Sequence, residues 1–327
     1  MNAWLLKWPP VTMHVKWFTE DTHWYPLPIA KVITPAFIFW LGFTLTILFI
    51  AAILSEPLER VKIVRITHQF LNNLKRFQLL ILRFGVGIGL ILQLCTGTYL
   101  APSFPADQWP IYALLLIALI GLLNRKLLIV SGTSLAILYM TAILSYGIFH
   151  LLDYMFYIGV IYYLFVANSP KLQRTAAPML YICTGLSLAW LAMEKLTIAK
   201  LACSLMHEYG LPTFGFTVED FVLISGFIEL GLAWALIVGL MNRFTAFLLT
   251  GIFITTTTVF GFTEIVGHTI MHTILVMFLI EGNHGFRTLF KFHRRPALRY
   301  LFVTINFCVL LFATMLIYIW MGQQSMT

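Results

Sequence analysis

The sequence predicts an all-α, polytopic membrane protein of about ten transmembrane helices. Three observations predict it: a composition too apolar to coat a soluble surface, ten apolar runs near spanning length, and basic residues sorted to alternate loops. Hydrophobic residues are 60% of the 327 and charged residues 10%, where a soluble chain carries about a quarter charged residues. The mean hydropathy is +0.89. A helix needs ~20 apolar residues to cross a bilayer. Open strands are excluded, because their backbone groups would go unpaired in hydrocarbon.

Residues 1–32 carry Trp4, Trp8, Trp17 and Trp24 among Pro9, Pro10, Pro26 and Pro28, and lack the apolar core of a signal peptide. Tryptophan concentrates at headgroup depth, so this segment is expected to be an interfacial arm. Residues 33–76 are expected to form an extra transmembrane helix at 33–54 and a cytoplasmic linker. A first four-helix unit at 77–170 takes the runs 77–100, 109–124, 127–146 and 148–167. A second at 171–285 takes 177–194, 220–240, 244–262 and 264–281. Residues 286–327 supply a cytoplasmic loop and a last helix at 301–320.

Numbering the loops alternately places Arg60, Lys62, Arg65, Lys75, Arg76, Arg125, Lys126, Lys171, Arg174, Arg243, Arg287, Lys291, Arg294, Arg295 and Arg299 on one face. The other face receives Lys7, Lys16, Lys31, Lys195 and Lys200, and Arg83 lies inside a helix. The basic face is expected to be cytoplasmic. Both termini then lie outside, in a plasma (bacterial inner) membrane. The net charge of +8 is dispersed over short loops, which excludes nucleic acid as a partner and leaves the lipid bilayer. None of Cys95, Cys183, Cys203 and Cys308 forms a Cys-x-x-Cys pair. Cys95 and Cys203 fall near the same face, where a disulfide and two free thiols are both open.

The two units read as parallel copies. LIGLLNR at 119–125 matches IVGLMNR at 237–243, LFVAN at 164–168 matches LIEGN at 279–283, and Tyr146-Gly147 matches Phe260-Gly261. Arg83-Phe-Gly-Val-Gly87 is a weaker match to Tyr181-Ile-Cys-Thr-Gly185. Gly85 and Gly89 make a Gly-x-x-x-Gly, which predicts close approach of another helix.

The second unit contains GLSLAWLAMEKL at 185–196, FIELGLAWALIVGLMNRFTAF at 227–247 and LVMFLIEGNHGFR at 275–287, and the first unit contains LLILRFGVGIGLI at 79–91. These stretches resemble the DoxX/DoxD-like membrane proteins, which are four-helix units. The resemblance covers about residues 77–285. It implies a membrane redox setting with a soluble or membrane redox partner, since DoxD-like subunits belong to a thiosulfate:quinone oxidoreductase. It names no reaction, and a quinone is the one cofactor it suggests.

Glu229 lies about nine residues into its helix, ~14 Å from the outer face. A carboxylate there is a functional candidate by default. It could relay a proton, ligate a cation or hold a polar head, or it could only tie the bundle together. Glu264, His268 and His272 are spaced i, i+4, i+8 on one helix face. They could pass a proton, ligate a metal, or satisfy one another. No metal is assigned. Glu229 is expected to face His272 directly or through one water. Secondary candidates are His150 and Asp153, which follow Tyr146-Gly147 as Glu264 and His268 follow Phe260-Gly261, and Glu194-Lys195, which could be a surface ion pair. His207-Glu208 is expected in a solvated outer loop. The favoured reading is a quinone-linked redox component or the membrane subunit of an oxidoreductase. The rivals are a transporter or metal-handling protein and a non-catalytic scaffold that recruits a redox enzyme.

Overall fold

Each of the ten apolar runs is helical, but they are not ten equal spans. The computed structural model of the chain describes residues 17–18, 25–282 and 288–324. Trp4, Trp8 and Trp24 of the expected arm, and Asn283 of the second repeat motif, lie outside the described residues.

A short α1 (Ile29–Val32) leads into α2 (Pro35–Glu59). Thr34 sets the start of α2. Its Oγ1 accepts the Phe37 N–H at 3.2 Å, and Pro35 sits where no helical donor is lost. Next come α3 (Lys62–Asn73) and α4 (Gln78–Thr96), then the strands β1 (Thr98–Tyr99) and β2 (Ala101–Pro105), and α5 (Trp109–Leu123) and α6 (Leu128–Tyr146). The following run is broken into α7 (Ile148–Leu151), a 3-10 turn at Leu152–Tyr154, and α8 (Phe156–Val166). The chain continues as α9 (Gln173–Thr197), α10 (Ala199–Glu208), α11 (Val218–Val238), α12 (Asn242–Phe260), α13 (Phe262–Glu281) and α14 (Pro296–Gln324).

Among the described residues, eight helical stretches are long and apolar enough to cross a membrane: α2, Lys62–Thr96, Arg125–Tyr146, α9, α11, α12, α13 and α14. The pair Ile148–Tyr154 and Phe156–Val166, bent by 64°, is a ninth if it counts as one span. With 15 residues, α5 is apolar but short; it rises only ~22 Å. Phe39, Phe84 and Leu144 expose 63%, 65% and 78% of their surface. Apolar exposure on this scale belongs in lipid, and the chain is an integral membrane protein.

The all-α expectation stands, with one short hairpin, β1–β2, between helices. The first helix of the first unit was expected to run to residue 100, but Gly97, in the left-handed conformation, ends it at Thr96. Tyr99, Leu100 and Phe104 are then buried as a plug. Gln93 Nε2 donates to Tyr157 Oη at 2.9 Å, Tyr157 Oη donates to the Leu100 carbonyl at 3.1 Å, and the Leu100 N–H donates to Gln93 Oε1 at 3.0 Å. This closed loop of bonds satisfies the turn without water. The loop between α9 and α11 likewise contains α10, with Leu205 and Met206 buried.

Breaking a helix frees carbonyls that hydrocarbon cannot solvate. At α7–α8 they are taken up by neighbouring side chains. Trp190 Nε1 donates to Phe149 O at 3.2 Å, Tyr139 Oη donates to Leu151 O at 2.6 Å, and Ser187 Oγ donates to Asp153 O.

Eight helices pack as a closed circuit: α4, α5, α6, α8, α9, α11, α12, α13 and back to α4. The expected units therefore share two seams, α8 with α9 and α13 with α4. A Cβ at Gly85 would overlap Thr273, and one at Gly89 would meet Ile270, so the Gly-x-x-x-Gly face is where α13 approaches. Gln78 and Lys75 hold Glu281 at one end of that seam, at 2.5 and 3.6 Å. Arg83 donates to the Leu122 and Leu123 carbonyls and so closes the end of α5. α2 and α14 pair with each other and against α11 and α9.

Two matched positions behave alike. Gly147 (φ 85°) and Gly261 (φ 68°) each end a helix of 19 residues in a conformation that L side chains rarely adopt. Arg125 reaches Asn168 just beyond α8 at 3.1 Å, while Arg243 reaches the Leu279 and Ile280 carbonyls at the end of α13 at 2.9 and 2.7 Å.

All four cysteines are free, Cys95 exposed and Cys203 half-buried. Burial pushes the Cys203 thiol up, and Glu219 adds to the shift. The thiolate is the nucleophile. Maleimide should therefore modify Cys95 first at neutral pH in detergent, with Cys203 catching up only as the pH rises. Peptide mapping that finds Cys203 modified first at pH 7 would contradict this burial.

Candidate functional site

The site follows from unequal spacing among helices. α9 and α11 pack tightly because both carry glycine at the contact. A Cβ at Gly185 would sit 2.8 Å from the Ala233 carbonyl, and one at Gly226 would sit 2.9 Å from the Leu196 side chain and 3.3 Å from Lys195 Cβ. Gly226 is three residues before Glu229, on the same helix face. The close approach brings Lys195 Nζ to Glu229 Oε1 at 2.7 Å. α12 packs chiefly against α13 and only lightly against α11.

The gap is a cavity of about 730 Å³. Leu188, Leu191, Glu194 and Lys195 of α9 line it, with Ser225, Ile228 and Glu229 of α11. α12 adds Leu249, Gly251, Ile252, Phe253, Thr255 and Thr256, and α13 adds Glu264 and His268. Ala202, Leu205 and Met206 of α10 close one end. The walls are mostly apolar. Lining residues Ile228, Leu248 and Val259 are also exposed on the protein surface, so the cavity opens sideways between α11 and α12.

Glu264 Oε1 lies 3.0 Å from His268 Nδ1, with both side chains buried. The i, i+4 spacing puts them one turn apart, and α13 carries them to the cavity wall. His268 packs against Phe253 at 4.8 Å and Trp17 at 5.4 Å between ring centroids. Phe18 lines the cavity and stacks on Phe260 at 4.3 Å. A Cβ at Gly267 would overlap the Trp17 indole. The arm residues Trp17 and Phe18 therefore pack on the bundle at the site.

The expected Glu229–His272 contact does not form. Glu229 takes Lys195, and its Oε2 is buried without a hydrogen-bond partner among the described residues. His272 lies edge-on to Phe253 at 6.0 Å and does not line the cavity. The reason is geometric: the cavity separates α11 from α13, whereas the glycine contacts hold α9 against α11. Lys195 accordingly pairs across helices, and the alternative of a surface pair with Glu194 falls.

Glu194 is buried and shared between two groups. It lines the cavity, and it also interacts electrostatically with Asp153 and Tyr318. Asp153 and His150 are buried at the α7–α8 break. Phe149, Trp190 and Tyr318 pack around that break, with centroids 4.9–5.5 Å apart. Of the eight candidates, Glu194, Lys195, Glu229, Glu264 and His268 meet at one cavity, while His150, Asp153 and His272 do not line it. Among the described residues, no group of three or more His, Cys, Asp or Glu side chains is placed to hold a metal ion.

Sequence reasoning missed the walls contributed by α10 and α12, and Phe18. The apolar, glycine-containing stretch of α12 around Gly251 carried a signal, but it reads equally well as a lipid-facing helix. No protein-family model matches the chain, nor does any curated protein or solved structure. The likeness to DoxX/DoxD-like proteins rests on the motifs quoted above.

Proposed function

We propose that the chain is a quinone-linked membrane redox component. In this reading the cavity holds a quinone-type amphiphile, with the ring near Lys195–Glu229 and Glu264–His268 and the tail leaving between α11 and α12. The observation that carries the reading is the cavity itself: apolar walls, a sideways opening, and two close acid–base pairs (2.7 and 3.0 Å) within one lining. Ligand sites combine an apolar lining with a few convergent polar groups in this way. Buried titratable pairs beside such a space suit proton exchange with a bound head. The Glu264–His268 pair passes the proton, and Lys195–Glu229 orients the head. Electrons are exchanged with a redox partner, as the family resemblance implies. A scaffold would need no such cavity.

The reading includes ten crossings with both termini outside, and two duplicated four-helix units. The matched roles of Gly147 with Gly261 and of Arg125 with Arg243 support the duplication. In the first unit Ile111 stands where the second has Glu229, and the hairpin plugs that end. Only the second unit then carries a site.

Gly251 offers a clean test. It lines the cavity, has an ordinary helical backbone, and a Cβ there would meet nothing within 4 Å. Gly251→Trp should leave the thermal midpoint unchanged or slightly higher, since glycine costs an exposed helix about 0.5–1 kcal/mol. Binding of a short-tailed quinone should fall at least about tenfold, because the indole occupies ligand space. A stable variant with wild-type affinity would contradict the proposal.

A further inference from the structure

α3 is surplus to the crossing it belongs to. The stretch Lys62–Thr96 has 35 residues and would rise ~52 Å, against a hydrocarbon core ~30 Å thick. The 19 residues of α4 alone rise ~28 Å. α3 is left between the end of α2 at Glu59 and the start of α4 at Gln78. It is held there at both ends. Arg60 and Val61 are the whole connection from α2. Arg243, at the start of α12, donates to the His68 carbonyl and to Asn72 Oδ1.

Around its axis α3 divides into three stripes. Val64, His68, Leu71 and Asn72 are half-buried against the bundle. Ile63, Ile66 and Phe70, spaced i, i+3, i+7, face away from them and expose 75%, 53% and 63% of their surface. Lys62, Arg65 and Gln69 follow the same spacing ~100° further round. Arg60 and Arg76 flank the helix. The nearby acids are engaged elsewhere: Glu56 with Arg299 at 2.6 Å, Glu281 with Lys75 at 3.6 Å, and Glu59 electrostatically with Arg243. Among the described residues, Arg60, Lys62, Arg65 and Arg76 make no ion pair.

We propose that α3 is an interfacial helix that recruits anionic phospholipid. Ile63, Ile66 and Phe70 enter the acyl boundary of the leaflet on that side, and Arg60, Lys62, Arg65 and Arg76 take the headgroup phosphates. Two observations together select a lipid surface. An apolar stripe bordered by lysine and arginine is the pattern of a helix lying in the headgroup layer. Four cations without acidic partners complement anionic headgroups, and their long stems let the charge stay at phosphate depth.

The test places a bimane fluorophore at Ile66→Cys in the full chain, with Cys95, Cys183, Cys203 and Cys308 replaced by alanine. The protein is reconstituted in phosphatidylcholine nanodiscs carrying equal fractions of either brominated phosphatidylglycerol or brominated phosphatidylcholine. Both lipids should quench, the phosphatidylglycerol at least about threefold more strongly, since each basic residue near an anionic surface favours it about fivefold. Lys62→Gln/Arg65→Gln/Arg76→Gln should bring the two lipids to parity while both still quench. A second reporter at Ile63→Cys should give the same ranking. Equal quenching by the two lipids without these substitutions would overturn the recruitment of anionic lipid. Quenching by aqueous iodide and by neither lipid would mean that the stripe faces water or a soluble partner, and would overturn the proposal entirely.

Discussion

Replacing Lys195 by methionine should destabilise the protein by about 3 kcal/mol, the cost of leaving a mostly buried carboxylate without its counter-charge. The Lys195–Glu229 pair is about three-quarters buried on both sides and closes at 2.7 Å. Methionine keeps much of the volume but strands Glu229, whose second oxygen already lacks a partner among the described residues. Lys195→Met/Glu229→Leu should recover most of the loss, because replacing a buried pair with apolar residues is often neutral or better. Thermal unfolding in detergent checks both expectations. A single variant as stable as wild type would mean that the pair is solvated and the site is not the enclosed one described.

Arg243→Ala should be comparably damaging, at about 3 kcal/mol. Its guanidinium donates to the Leu279 and Ile280 carbonyls at 2.9 and 2.7 Å, to Asn72 Oδ1 at 2.7 Å and to the His68 carbonyl at 3.3 Å. One buried side chain thus ties α3 to the start of α12 and the end of α13. Hydrogen bonds from a charged donor carry roughly 1.5–3 kcal/mol each, and they are not additive. Arg243→Lys should recover less than half, since an ammonium cannot span acceptors that a planar fork reaches together. Arg125, which the sequence motif matches to Arg243, makes an exposed contact with Asn168, so Arg125→Ala should cost below about 1 kcal/mol. Equal losses at the two positions would contradict the difference in burial.

The helices were legible because apolar length is a local property of the chain. The Glu264–His268 contact was legible for the same reason, since i, i+4 spacing fixes it within one turn. What escaped depends on contacts between distant segments. Glu229 could be recognised as a carboxylate in an apolar helix, but its partner could not. That partner is decided by how closely Gly226 lets α9 approach, and His272 at similar depth looked equally able. The hairpin escaped because Tyr99 and Leu100 continue an apolar run, and only Gly97 hints that the helix has ended. The α7–α8 break was hidden in the same way: its freed carbonyls are met by Tyr139, Ser187 and Trp190, none of them adjacent in sequence. The cavity is a space between helices rather than a motif, so no residue pattern announces it.

The most direct test of the central claim is photo-crosslinking with a quinone-type ligand bearing a diazirine on its tail, mapped by peptide mass spectrometry. Adducts should concentrate on the cavity walls, at residues such as Leu188, Ile228 and Ile252, and Gly251→Trp should abolish them. Labelling confined to exposed apolar positions away from the cavity, such as Phe39, Phe84 and Leu144, and insensitive to Gly251→Trp, would contradict the account.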